Sequence, residues 1–275
     1  MMLYVVAALG GLAGLAWEIL WLHHTALAIG VSSQGAALTL IALSVGLAGG
    51  AALAGRWLGR RPQANLLRVW GLLEVLIGLC GQAVEPGFGL LTSLDTAVWQ
   101  WSPGMAPVVH LAGMLALLAI PAACMGATIP VFVGVAEQRD LSIGRLYGSN
   151  IAGAALGIVC VSFVAIPGLG VGLTASLASI IDLLIGGLLI LWSSRQPAPI
   201  DGERGDAGSD PAIEPLPPSV ARTIVVCTGF ATFALEVAWF RSLRAALQAT
   251  TDSFAVVLFS VLLPLSAGAA LAPWL

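Results

Sequence analysis

Apolar residues run along this chain in long blocks, and short clusters of charged or turn-forming residues separate them. Eight blocks are bounded in this way, near Leu3–Ile29, Gly35–Ala54, Leu67–Ala83, Val108–Val135, Tyr147–Ile166, Val171–Trp192, Thr223–Leu247 and Phe254–Ala272. At 1.5 Å of rise per residue each can cross about 30 Å of hydrocarbon as an α-helix. The pattern predicts an all-α polytopic membrane protein with about eight transmembrane helices. The first block is too long, and too polar at its middle, for a cleaved signal peptide.

Composition narrows the class. Of 275 residues, 59% are hydrophobic and 9% charged, whereas a soluble domain carries about 25% charged residues to cover its core. A soluble enzyme is excluded. So is a nucleic-acid binder, because eleven basic residues and a net charge of −3 offer no phosphate-binding surface. Cys80, Cys124, Cys160 and Cys227 are widely spaced, with no CxxC pair and no His at ligand spacing. Neither a metal site nor a redox motif is expected, and the cysteines read as small hydrophobes. No nucleophile-and-base pair or cofactor motif appears, so neither catalysis nor a bound cofactor is expected.

Charge placement predicts orientation. Arg56, Arg60, Arg61 and Arg68 flank the second loop, Arg139 and Arg145 the fourth, and Arg195, Arg204 and Arg222 the sixth. By the positive-inside rule both termini face the cytoplasm, and the expected location is a bacterial inner membrane. The outer loop, Glu85–Pro107, carries Trp99 and Trp101, which suit an interfacial belt. Pro, Gly and Asp dominate the stretch after Ser193, which reads as a flexible cytoplasmic linker. Three units follow: a six-helix transmembrane domain at 1–193, the linker at 194–221 and a two-helix segment at 222–275.

An internal repeat relates the first and last units. Residues Gly11–Trp57 align without gaps on Gly229–Leu275, placing GLAGLAWEILW over GFATFALEVAW, with Glu18 on Glu236 and Trp21 on Trp239. A carboxylate inside an apolar span is rare and costly, which makes that match informative. Corresponding helices of the two copies are six helices apart, an even number, which gives both copies the same orientation across the membrane. This is the parallel arrangement of major-facilitator halves, with the second half represented here by two helices of six.

The series GLAGLAWEILW, PAACMGATIP, GRLYGSNIAGAALG and ALEVAWFR resembles the membrane domain of bacterial fused transporter-like, spermidine-synthase-like proteins. The resemblance covers the chain outside the linker and the outer loop. It implies a transporter-like membrane fold and a link to polyamine-like cations or to a separately encoded soluble partner. Two features depart from that family. His23 stands in the first copy where Arg241 stands in the second, and no soluble aminopropyltransferase segment with its Gly-rich loop is present. The transferase activity is therefore not implied.

Four carboxylates fall within the spans: Glu18, Glu74, Asp182 and Glu236. None has a basic residue three or four positions away on its own helix. Each must find a partner on another helix, be protonated or face water, and His23, Arg241 and Arg244 are the candidate partners. Two roles stay open: lining a polar cavity that binds a cation, or bonding between helices to lock the bundle. In the fifth span Tyr147, Asn150, Gly153 and Gly157 share one helical face. Gly153 and Gly157 form a GxxxG pair suited to close packing, and Asn150 either bonds across that interface or lines the cavity. Trp21 and Trp239 are expected to pack. In the fourth span Pro121 and Pro130 predict either a broken helix beside a site or a packing kink.

These features support a noncatalytic membrane anchor or accessory subunit for a soluble or membrane partner. The alternative is a transporter or binding protein for a small organic cation such as a polyamine, with a homodimer supplying the missing helices. The bilayer is the one partner that composition demands, and nucleic acid is excluded.

Overall fold

The computed structural model describes residues 1–29, 33–61, 64–195, 217–247 and 251–271. Most of the linker therefore lies outside the described residues, as do the side chains of Glu236, Arg241 and Arg244. Among the described residues every regular element is helical. The helices are α1 (Met2–Ile29), α2 (Ser33–Arg60), α3 (Leu66–Trp101), α4 (Ala106–Gln138), α5 (Ile143–Cys160), α6 (Ile166–Ser194), α7 (Pro218–Leu247) and α8 (Thr251–Leu271). Five helical stretches are long and apolar enough to cross a membrane: Met2–Ile29, Ala37–Arg60, Leu66–Trp101, Pro103–Gln138 and Ile143–Ser194. Large apolar side chains such as Val45, Leu72, Leu79, Ile120 and Leu184 point outward. Apolar surface on that scale suits lipid rather than water, and an all-helical chain with five such stretches suggests a membrane protein.

The stretch Ile143–Ser194 runs through a π-helical segment, Val161–Ala165, and leaves helical geometry at Gly170 (φ 80°, ψ 169°). Only glycine adopts that backbone readily. The chain doubles back there, because both ends of the stretch meet the same end of the bundle. Arg145 lies over the Tyr4 ring at the start of α1 (5.5 Å). Arg139, at the end of α4, lies 4.8 Å from the Trp192 ring centroid. A tight turn joins α4 to α5: Asp140 has φ 50°, and the Leu141 N–H reaches back to the Ala136 carbonyl at 2.9 Å, the closing bond of a Schellman turn. Side-chain caps set the next starts. Asn65 accepts from the Arg68 N–H (3.2 Å) to open α3, and Ser142 from the Arg145 N–H (3.3 Å) to open α5.

Three helix pairs form the body, and glycine sets their closeness. In the parallel pair α1/α5, a Cβ on Gly11 would strike the Asn150 carbonyl, one on Gly153 the Ala8 carbonyl, and one on Gly157 the Leu12 carbonyl oxygen at 2.5 Å. The parallel pair α2/α4 meets through Gly46, Gly50 and Gly126 in the same way. The antiparallel pair α3/α6 closes on Gly71 and Gly186, where an added Cβ would lie 2.7 and 2.6 Å from the opposite glycine carbonyl. Without a hydrophobic driving force in lipid, such backbone approach and its dispersion contacts drive helix association. Helix α8 packs on α5, with Ser266 donating to the Gly148 carbonyl at 3.1 Å, while among the described residues α7 has substantial contact with α8 alone.

One expectation needs correction. The segment expected to be an outer loop from Glu85 is instead helical to Trp101, with Pro86 inside α3. Phe88–Trp101 contains no further proline, and Thr92, Ser93 and Thr96 donate their hydroxyls to carbonyls four residues earlier, a bonding mode compatible with helix. A 3-10 turn, Pro103–Met105, then leads into α4. Trp99 and Trp101 are exposed, and Asp95 Oδ1 stands 2.9 Å from His110 Nε2, an ion pair when the imidazole is protonated. Helix α4 is continuous through both Pro121 and Pro130. The helical break falls at Gly170 instead, within the expected connection between the fifth and sixth blocks.

Candidate functional site

Two apolar clusters fill the ends of the bundle. One joins Leu3, Val6, Leu66, Trp70, Val135, Leu146 and Leu189 at the arginine-rich end, and the other joins Trp17, Leu20, Leu43, Ile77, Met114, Ile158 and Ala178 toward the opposite end. Between them lies a cavity of about 250 Å³. Glu18 lines it from α1, Glu74 from α3, Tyr147 and Asn150 from α5, and Asp182 from α6, with Met125, Thr128 and Phe132 contributed by α4. Three of the four expected carboxylates thus come together with Asn150 around one space. No Arg or His contributes to the described lining.

Indole donors position two of the acids. Trp17 Nε1 donates to Asp182 Oδ2 at 2.7 Å, linking α1 to α6. Trp70 Nε1 donates to Glu74 Oε1 at 2.8 Å within α3, and the Trp70 ring meets Phe132 edge-on at 4.5 Å. Both acids are buried: Glu74 is 3% exposed and Asp182 0%. Small residues admit them between helices. A Cβ on Gly10 would lie 3.1 Å from Glu74 Oε1, and one on Gly78 would lie 3.0 Å from Asp182 Cβ. Ser179 adds a bond to the Gly78 carbonyl at 3.0 Å.

Polar capacity is left over at the cavity wall. Asp182 Oδ1 and Trp21 Nε1 are buried with no hydrogen-bond partner among the described residues. A buried polar oxygen without a partner is costly, and here it borders an open space. Asn150 uses its amide N–H to reach the Ala7 carbonyl at 3.0 Å, so it bonds across the α1/α5 interface and lines the cavity as well. Trp21 stacks on Trp17 with centroids 6.1 Å apart.

Other sequence-selected residues lie elsewhere. Gly153 and Gly157 face the α1 backbone. His23 is half-buried farther along α1 and outside the cavity lining. Trp239 is 45% exposed on α7. Glu236, Arg241 and Arg244 belong to α7, and their side chains lie outside the described residues. A search for basic partners at helical spacing overlooks neutral donors. The Trp70–Glu74 separation of four residues was the visible signal, while nothing in the sequence pairs Trp17 with Asp182.

The arrangement can hold a small cation: carboxylates from three helices, an aromatic edge and an apolar wall. Among the described residues no cluster of His, Cys, Asp and Glu suits a metal ion. No protein-family model, curated protein or solved structure matches this chain.

Proposed function

We propose that the chain is a noncatalytic, multi-pass protein of the bacterial cytoplasmic membrane that binds a small organic cation, an amine of the polyamine type, about midway across the bilayer. The observation that carries this reading is the convergence of Glu18, Glu74 and Asp182, from three different helices, on one cavity. On insertion scales a charged side chain at the bilayer centre costs about 2.5–3.5 kcal/mol. An ammonium group among these acids offsets that cost. The 250 Å³ volume lies below the range of about 300–1,000 Å³ typical of drug-sized sites, which favours a short aliphatic amine. Leu15, Ile77 and Met125 suit its methylene stem, and the Trp21 ring is placed for cation–π attraction.

The same reading takes each of the eight helices as one crossing, in a six-plus-two plan with a parallel repeat and both termini cytoplasmic. The gathering of Arg60, Arg68, Arg139, Arg145 and Arg195 at helix ends that alternate along the chain supports it. The resemblance to membrane domains of spermidine-synthase-like proteins agrees with an amine ligand.

The test is ligand-linked stability. Purified protein in neutral detergent is melted with increasing putrescine or spermidine, with sodium chloride at matched ionic strength as control. Ligand at 100 times its Kd is expected to stabilise by about 2.7 kcal/mol. Glu18→Gln, Glu74→Gln and Asp182→Asn are each expected to reduce the shift. No shift with either amine at millimolar concentration overturns the reading.

A second reading, a membrane anchor or accessory subunit, is favoured by α7. Its Ile224, Val225, Phe230 and Leu235 are all exposed, and among the described residues its substantial packing is on α8 alone. A stoichiometric protein partner retained on purification from native membrane supports this second role. Purification of the chain alone, with a full amine response, removes it.

A further inference from the structure

A second concavity, separate from the carboxylate cavity, opens on the outer surface between α2, α3 and α4. Its volume is about 960 Å³. Leu53, Trp57, Leu72, Leu73, Ile120 and Val131 make its walls apolar. Leu53, Leu72 and Ile120 are 65%, 48% and 63% exposed, so this surface faces whatever surrounds the bundle. From Ile120 to Val131 the groove follows α4 for about 17 Å, close to the roughly 15 Å of hydrocarbon in one leaflet.

The groove is apolar along its length and cationic at one end. Arg56 and Arg60 line it there. They stand four residues apart on the last turns of α2, a spacing that puts them on one face. Both are exposed, and among the described residues neither has a carboxylate within ion-pair distance. Trp57 lies between them in sequence and also lines the groove, with Arg61 Cζ 6.0 Å from its ring centroid. An aromatic ring beside arginines at the end of an apolar wall marks the headgroup level of a bilayer.

We infer that this groove binds one anionic phospholipid, with an acyl chain along Leu53, Leu72 and Ile120 and its phosphate held by Arg56 and Arg60. Charge decides the headgroup, since two arginines with no carboxylate in ion-pair distance among the described residues select an anion over a zwitterion. Apolar length decides for a lipid over a free phosphate. A transmembrane partner helix would fill the walls but leave both guanidinium groups unmatched.

Native mass spectrometry tests the assignment on the whole chain in neutral detergent. Protein is titrated with dioleoyl phosphatidylglycerol or dioleoyl phosphatidylcholine, with soluble glycerol 3-phosphate as the headgroup-only arm. Each arginine near an anionic headgroup contributes roughly a fivefold factor, so wild type is expected to prefer phosphatidylglycerol by about thirtyfold in the first bound molecule. Arg56→Gln with Arg60→Gln is expected to abolish the preference while leaving the melting temperature and the amine response intact. Ile120→Trp, placed on an exposed wall, is expected to weaken retention of both lipids. Equal retention of the two lipids by wild type, or an unchanged preference in the double variant, overturns the inference. Competition by glycerol 3-phosphate at the concentration that suffices for the lipid also overturns it, since the site would then read a phosphate alone.

Discussion

Trp17 on α1 donates its indole N–H to Asp182 on α6 at 2.7 Å, across 165 residues of chain. This bond holds one carboxylate oxygen and leaves Oδ1 at the cavity wall without a partner among the described residues. The indole is wedged against Gly81 of α3, where an added Cβ would strike its ring. One contact therefore ties three helices together and sets the direction of the acid.

Trp17→Phe removes the donor and keeps most of the packing. Interhelical bonds in membrane proteins average about 0.6 kcal/mol and reach about 1.7, so a lowered melting temperature within that energy range is expected in detergent. Asp182→Asn retains an acceptor oxygen for Trp17 and is expected to melt close to wild type while losing the ionisable group at the cavity. A Trp17→Phe protein that melts like wild type would show the bond to be without weight in stability.

Adjacent glycines on α6 make a paired test of packing. A Cβ at Gly186 would lie 2.6 Å from the Gly71 carbonyl oxygen and 2.6 Å from Val75 Cγ2, whereas one at Gly187 meets nothing within 4 Å. Gly186→Ala is expected to destabilise by about 1–3 kcal/mol through overpacking against backbone that cannot yield. Gly187→Ala is expected to be neutral or to gain up to about 1 kcal/mol from helix propensity. Thermal melts of the two variants side by side decide it; equal effects would contradict the α3/α6 register.

Backbone geometry predicts a further pair. Gly170 has φ 80° and ψ 169°, a region costly to any other residue by about 1–3 kcal/mol. Gly170→Ala is expected to lower the melting temperature accordingly, while Gly168→Ala, with open space around its Cβ, leaves it unchanged.

Topology is read by labelling. In a cysteine-less chain expressed in cells, Ser102→Cys and Gly168→Cys are expected to react with a membrane-impermeant maleimide from outside. Ser194→Cys is expected to react only after permeabilisation. All three positions are exposed in the bundle. A Gly168→Cys chain silent in intact cells would exclude an outward turn between α5 and α6.

Much of this was legible in the residues. The apolar blocks announced helices because in lipid every backbone N–H must be bonded within its own segment. The exception was Glu85–Trp101, where polar residues and Pro86 suggested a loop; their hydroxyls bond back to the helix and let α3 continue. Glu18, Glu74, Asp182 and Asn150 stood out because polar groups in apolar spans need a reason. Their meeting around one cavity did not show, since helical periodicity says which face a residue occupies and not which helix that face meets.

Local chemistry thus determined the class of protein, the helices and the cast of polar residues, because burial and backbone bonding act on each segment by itself. Tertiary structure alone decided that Trp17 holds Asp182, that glycines bring α1 to α5 and α3 to α6 at backbone distance, and that Arg56 and Arg60 close an apolar groove. Those outcomes depend on the mutual rotation of helices distant in sequence. Packing among small residues fixes that rotation, and an abundance of Gly, Ala and Leu along the chain leaves many pairings open until all the helices are assembled.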